Sequence, residues 1–108
     1  MTEEEEHMSE KEFVLDGSRL TVGGDLEAGR EDELRRACEK LLETPGPEYV
    51  VDLSEVRYIH SLSVGMLSYA WVEALSRDRE MKFLVSGEVA EVLERTGLSK
   101  VFAYEVSG

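Results

Sequence analysis

The sequence contains a single cysteine, Cys38, so it cannot form an internal disulfide. A lone cysteine is typical of a protein from a reducing compartment. No run of apolar residues approaches the roughly 18 residues that a membrane-spanning helix needs. The N-terminus is acidic, whereas secretory signals and transit peptides begin with basic residues. We therefore predict a cytoplasmic protein that does not insert into a membrane.

Basic residues are scarce, since 12 Lys and Arg stand against 24 Asp and Glu, and the net charge is −12. The first ten residues contain five acids and no Lys or Arg, and the other 98 residues still have a net charge of −7. Nucleic acids and anionic lipids bind basic surfaces, so neither is expected as a direct partner. A partner with a basic protein surface is favoured instead.

The length and composition predict one soluble domain preceded by a tail. Residues 1–10 form a like-charge run without hydrophobic periodicity, and we expect a disordered acidic tail there. Residues 11–108 have the length of a single domain. Apolar residues make up 42% of the chain and charged residues 33%, as in globular proteins.

Hydrophobic periodicity predicts eight elements in the order β-β-α-β-α-β-α-β. Strands that alternate with helices after a hairpin indicate an α/β domain with a mixed sheet. The run 49–53 is apolar and predicts a strand covered on both faces. Strands are predicted at 13–16, 18–22, 49–53 and 81–85, helices at about 31–43, 62–77 and 88–95, and a strand or short helix at 101–106.

The predicted helix 62–77 follows the central strand, at the kind of position where α/β sheets tend to carry function. Its buried stripe is predicted to consist of Leu62, Met66, Leu67, Ala70, Trp71, Ala74 and Leu75. Val64, Ser68 and Val72 form a second stripe beside it. Apolar residues on a face that should be hydrated suggest a protein-binding patch, with scattered surface residues as the alternative.

The motifs of several enzyme classes are missing from the sequence. Gly23-Gly24 is not followed by the residues of a phosphate-binding loop. No cluster of Cys and His is spaced to bind a metal, so we expect neither a metal nor a cofactor. Asp52, His60 and Ser61 include the residue types of a hydrolase triad, but the nucleophile elbow G-x-S-x-G is missing. We therefore do not expect an enzyme, and we expect Cys38 to be a core residue of the first helix.

Ser61 and Ser63 stand at the predicted start of the second helix. A serine at this position is usually an N-cap, whose oxygen accepts a backbone N–H. The same position favours a phosphate, because the helix dipole attracts negative charge. A phosphoserine would add roughly −1.5 to −2 charges there. The spacing alone leaves a capping role and a regulatory phosphorylation open.

Three segments, VVDLSEVRYIHSLSVGMLSYA, MKFLVSG and VAEVLERTGLSKVF, together resemble the STAS domain, the fold of bacterial anti-sigma-factor antagonists. GGDLEA at 23–28 resembles the family segment before the first helix, and the likeness covers about residues 13–105. The matching positions are Asp52-Leu53-Ser54, Val56, Ile59, Ser61, Gly65, Leu67, Leu93, Thr96-Gly97-Leu98 and Phe102.

The resemblance implies a non-enzymatic regulatory domain whose partner switching is controlled by phosphorylation at the start of the second helix. Ser61 takes the position of the family phosphoacceptor, and Ser63 is the second choice. The implied partner is an anti-sigma factor that is also a serine kinase. The expected partner-binding residues are His60, Ser61, Ser63, Val64, Ser68 and Val72.

Three positions depart from the family pattern, because His60, Leu62 and Ser63 replace an Asp, a small residue and a Gly. These changes leave open a STAS scaffold without a phosphoswitch, in a stress-signalling assembly or as an adaptor of a lipid-transport ABC system. A small-ligand sensor has no specific support in the sequence. His60 also introduces an imidazole, a group that ordinarily titrates near pH 6.5, and leaves a pH switch and a spectator role open.

Overall fold

A computed structural model describes residues 12–107, and the predicted acidic tail at 1–10 lies outside this part of the chain. The element order matches the prediction, and the ambiguous last segment contains a strand. A short 3-10 turn, Leu98–Lys100, precedes that strand. The elements are β1 (Phe13–Asp16), β2 (Arg19–Val22), α1 (Glu31–Glu43), β3 (Glu48–Leu53), α2 (Ser61–Ser76), β4 (Glu80–Val85), α3 (Gly87–Arg95) and β5 (Ala103–Val106).

The five strands form one mixed sheet in the order β1-β2-β3-β4-β5. β1 and β2 pair antiparallel through a tight turn at Gly17, whose φ of 62° lies in the left-handed region that favours glycine. The other neighbours pair parallel, and each of these pairs is joined by a connection that contains an α-helix. The predicted α/β class with a mixed sheet is confirmed.

The sheet buries one face and leaves the other partly exposed. In β3, Tyr49, Val51 and Leu53 are buried, whereas Val50 and Asp52 between them are only partly buried. The outer face carries ion pairs, such as Lys82 with Glu105 at 2.7 Å. The expectation that β3 is covered on both faces was wrong, because its apolar run includes Val50, which lies on the face that the helices do not cover.

The three helices contribute to the same hydrophobic cluster as the buried face of the sheet. From α1 the cluster takes Leu34, Cys38, Leu41 and Leu42, and from α3 it takes Val89, Ala90 and Leu93. Burial raises the pKa of the Cys38 thiol to about 12, with a further contribution from nearby Glu39. The thiol therefore stays protonated at neutral pH, and Cys38 is a core residue as predicted.

The C-terminal end of α2 is fixed against the end of α1 by two arginines. Arg77 donates to the Leu42 carbonyl at 3.1 Å, and Arg79 donates to the Thr44 carbonyl at 3.0 Å and to the Tyr49 hydroxyl. Tyr49 is buried and also donates to the Leu42 carbonyl. Hydrogen bonds from Arg77 and Arg79 thus hold one end of α2, and the position of its other end depends on the segment before Ser61.

Candidate protein-binding site at the start of α2

His60 organises the first turn of α2. Its backbone N–H donates to the Leu26 carbonyl at 2.7 Å, and its own carbonyl accepts from the N–H groups of Ser63 and Val64 at 2.9 and 3.1 Å. Its Nδ1 accepts the N–H of Leu62 at 3.2 Å, so the imidazole is the N-cap. The expectation of a serine N-cap for this helix was wrong, because the residue before Ser61 already supplies the acceptor.

The segment before the cap is attached to the loop that follows β2. Leu26 and Ile59 form a parallel bridge, and the carboxylate of Asp25 accepts the N–H groups of Arg57 and Tyr58 at 2.8 and 3.1 Å. These bonds satisfy backbone donors that have no partner in the sheet. They place the start of α2 at the edge formed by the carboxyl ends of β2 and β3.

The two candidate serines have opposite environments. Ser61 is exposed as the first residue of α2. Ser63 is 0% exposed, and its hydroxyl has no hydrogen-bond partner in the part of the chain that the structure describes. Of the two serines, only Ser61 is exposed at the surface of the folded domain.

The exposed side of α2 is apolar. Leu62 is 60% exposed, Val72 55% and Tyr69 50%, and Gly65 lies between them on the same side of the helix. The 16 residues of α2 include a single charged side chain, Glu73. We refer to Leu62, Gly65, Tyr69 and Val72 as the outer face of α2.

This arrangement corrects the predicted faces of the second helix. Leu62 and Leu75 are exposed rather than part of the buried stripe, and Val64 is only 8% exposed rather than part of the hydrated stripe. Ser68 is partly buried and donates to the Val64 carbonyl at 3.1 Å. Val72 is exposed, as expected for the second stripe.

A groove of about 720 Å³ separates the start of α2 from α3. The outward side of α3 contributes Glu88, Glu91 and Arg95, and Arg57 at its end forms an ion pair with Glu88 at 3.7 Å. Sequence reasoning missed these charged residues, although their i, i+3, i+7 spacing places them on one face of α3. The α2 side and the floor are lined by Tyr58, Ile59, Ser61, Val64, Gly65 and Ser68.

Asp52 is held on the outer face of the sheet and is not linked by a hydrogen bond to His60. One carboxylate oxygen accepts from Arg19 at 2.5 Å, and the other accepts from the N–H and hydroxyl of Ser54 at 3.0 and 2.7 Å. Burial raises the pKa of the Asp52 carboxyl, but the hydrogen bonds from Ser54 and Arg19 outweigh this effect and lower the pKa below its ordinary value. Asp52 and His60 are therefore engaged in separate contacts, and among the described residues no hydrogen bond joins either side chain to the Ser61 hydroxyl.

Residues 12–107 contain neither a candidate membrane-spanning helix nor a candidate metal site. None of the helices there has the length and apolar character to cross a bilayer. The same residues contain no group of three or more His, Cys, Asp and Glu side chains that could hold a metal ion.

Comparison with known proteins places the chain in a family. A family model described as "Mlab, STAS domain" matches residues 10–103. Among solved structures, the chain is similar to an anti-sigma factor antagonist from Mycobacterium paratuberculosis, with a TM-score of 0.73 and 21% identity over 86% of this chain and 81% of that one. No curated protein sequence matches. The structural likeness confirms the predicted fold, and the family match spans most of the sequence, so the chain belongs to the STAS-domain family.

Proposed function

We propose that this chain is a non-enzymatic, cytoplasmic regulatory domain that switches between protein partners, with Ser61 as its phosphoacceptor. The partner we propose is an anti-sigma factor serine kinase, in keeping with the antagonist whose fold the chain shares. The observation that carries the proposal is the position of Ser61. It is the exposed first residue of α2, and it stands between the α2–α3 groove and the outer face of α2.

The outer face of α2 has the composition of a binding surface. Charged residues make up 33% of the chain, yet Leu62, Gly65, Tyr69 and Val72 are exposed together with no charge among them. Contiguous exposed apolar residues mark interaction sites, and tyrosine is enriched where binding energy concentrates.

The proposed contact surface consists of this face together with His60, and with Ser61 and Ser68, which line the groove. It leaves out Ser63, which is buried, and Val64, which is also buried and lines the groove. Ser63 is therefore no longer a candidate phosphoacceptor in the folded domain.

A phosphate on Ser61 would keep its charge at the surface. The N–H groups of Leu62 and Ser63, which are among those that can receive an anion at a helix start, are already bonded to His60. The first turn of α2 contains no acidic residue, so the phosphate would introduce roughly −1.5 to −2 charges beside an apolar surface. A partner would have to desolvate that charge, and this cost would release the partner.

The test uses three forms of the full chain as baits in lysate of the native organism, namely the wild type, Ser61→Glu and Ser76→Glu. Ser76 is an exposed serine at the other end of the same helix, about 22 Å from Ser61 at 1.5 Å per residue. We expect the wild type and Ser76→Glu to retain an ATP-binding kinase and Ser61→Glu to lose it. Mass spectrometry of the chain from cells should find phosphate on Ser61.

Retention of the same kinase by Ser61→Glu at unchanged affinity would refute the phosphoswitch. Loss by both Glu variants would show that added charge anywhere on α2 is sufficient, which removes the special role of Ser61. Circular dichroism of each variant distinguishes lost binding from lost fold.

A scaffold without a phosphoswitch is the second candidate, and the exposure of Leu62 favours it. A large apolar side chain directly after Ser61 suits a contact that persists whatever the state of the serine. Such a domain would serve a stress-signalling assembly or a lipid-transport ABC system. In the same experiment, all three baits would recover one larger assembly, and a Leu62→Ala bait would lose it.

A further inference from the structure

We infer that His60 is a proton-operated cap of α2, so that acidification loosens the turn that carries Ser61 and Leu62. The inference goes beyond partner switching by phosphorylation, because it concerns the unmodified chain and needs no partner. It rests on the two groups that face one nitrogen of the imidazole.

The first group is the backbone N–H of Leu62, which donates to His60 Nδ1 at 3.2 Å. A ring nitrogen accepts a hydrogen bond only when it carries no proton, so the cap requires a neutral ring with its proton on Nε2. Protonation of Nδ1 turns the acceptor into a donor and leaves the Leu62 N–H without this partner. It also places a positive charge at a helix N-terminus, where the helix dipole disfavours it.

The second group is the carboxylate of Glu31 at the start of α1. Its Oε2 lies 4.0 Å from the same Nδ1 and accepts the N–H of Gly29 at 2.9 Å. This carboxylate would receive the protonated ring as an ion pair. A proton on His60 therefore exchanges a bond within α2 for an attraction to α1.

The other charged groups around this corner are engaged elsewhere. The carboxylate of Asp25 accepts from the backbone of Arg57 and Tyr58. The guanidinium of Arg30 donates to the carbonyls of Gly23 and Asp25 at 3.3 and 2.6 Å and also faces Glu33. The first turn of α2 has no acidic or basic side chain. Glu31 is thus the charged group placed to compete for His60.

The start of α3 provides an internal control, because its cap does not titrate. At the start of α3, the hydroxyl of Ser86 accepts the N–H of Val89 at 3.2 Å, the same length as the bond at His60. A hydroxyl keeps its acceptor character between pH 5 and 8, whereas histidine ordinarily titrates in this range. The two caps should therefore respond differently to the same change of pH.

The experiment measures amide exchange of Leu62 and Val89 by NMR from pH 8 to pH 5, together with the 15N shifts of the ring. The chain carries His7→Asn, so that His60 is the one remaining imidazole. We expect the proton on Nε2 at pH 8. As the ring titrates, opening at Leu62 should rise about fivefold after correction for the intrinsic rate, the size expected for loss of a typical cap. Val89 should show no such step.

Two variants separate the contribution of the cap from that of Glu31. His60→Asp keeps an acceptor down to about pH 4, so its Leu62 amide should show no step between pH 8 and 5. Glu31→Gln removes the carboxylate that would receive the protonated ring, so the step at Leu62 in this variant measures the loss of the cap without the attraction to α1. A proton on Nδ1 at pH 8, or unchanged protection of Leu62 while the ring titrates, would overturn the inference. These readouts are independent of any partner, and they leave the role of Ser61 untouched.

Discussion

The hydroxyl of Ser63 is enclosed in the protein without a hydrogen-bond partner in the described part of the chain. A buried polar group left unpaired costs about 1–3 kcal/mol. We predict that Ser63→Ala, which removes the hydroxyl and keeps the methylene, raises the free energy of unfolding by about 1 kcal/mol. Urea unfolding followed by the fluorescence of Trp71 measures the change.

The matched control is Ser68→Ala on the same helix, whose hydroxyl donates to the Val64 carbonyl at 3.1 Å. Removal of that bond should change the free energy of unfolding by less than about 0.5 kcal/mol, since the hydroxyl is partly exposed. Destabilisation by Ser63→Ala would contradict the prediction and would mean that the hydroxyl has a partner in solution.

Asp52 makes the stability of the fold depend on pH. Because its pKa is lowered in the folded state, the ionised carboxylate stabilises the fold above its ordinary pKa of about 3.9, and this contribution is lost as pH falls through the lowered folded value. We predict that Asp52→Asn loses about 1 kcal/mol at pH 7, because the Arg19 partner is half-exposed. As the pH falls from about 5 to about 2, the free energy of unfolding of the variant should then decrease less than that of the wild type.

Urea titrations at intervals of pH test this prediction, with Glu55→Gln as the control. Glu55 is an exposed carboxylate two residues after the end of β3. If the free energies of unfolding of Asp52→Asn and the wild type differ by the same amount at every pH, the charge of the Asp52 carboxylate does not contribute to stability. This result would contradict the prediction.

At the level of elements, the same substitution, Gly→Ala, should have opposite effects inside a helix and at the turn that follows a helix. Gly65 lies inside α2 and Gly97 follows α3 with a φ of 81°, and an added Cβ meets nothing within 4 Å at either position. We predict that Gly65→Ala stabilises the fold by about 1 kcal/mol through helix propensity. Gly97→Ala should destabilise it by about 1 kcal/mol, because alanine disfavours the left-handed region. Thermal unfolding of the two variants tests this prediction, and a change of stability with the same sign in both would contradict it.

The two longer helices show what a periodic pattern can predict. The bounds predicted for α1, 31–43, are those observed, because its apolar stripe alternates with charged residues and ends before Thr44-Pro45. The bounds of α2 were predicted within one residue, but its faces were not. A helix with Glu73 as its one charged residue has no polar side by which to orient the pattern.

The site was predictable in part for the same reasons. The frame of the family pattern located Ser61, and its exposure was consistent with that position. The imidazole cap was not predicted, because histidine is outside the usual set of capping residues. The groove depends on the approach of α3 to the start of α2, which is a long-range contact that local spacing does not reveal.

At the level of the whole molecule, charge and apolar surface are separated. Among the described residues the outer face of the sheet carries ion pairs such as Lys82 with Glu105, whereas the outer face of α2 carries none of the charges. In the proposed complex, the net charge of −12 would act on the partner at long range, and the apolar face would act only after contact. The two features should govern different steps of binding.

Removal of residues 1–10 changes the net charge from −12 to −7 and leaves the sequence of α2 unchanged. For the partner recovered with the wild-type bait, we predict that this deletion slows association at least about threefold at low salt and weakens its salt dependence. Dissociation should stay unchanged. Leu62→Ala should do the reverse, with dissociation about tenfold faster and association unchanged. Stopped-flow kinetics at several ionic strengths measure both. Faster dissociation after the deletion would mean that the acidic residues touch the partner, so that charge and contact would no longer be separate functions of the two parts of the chain.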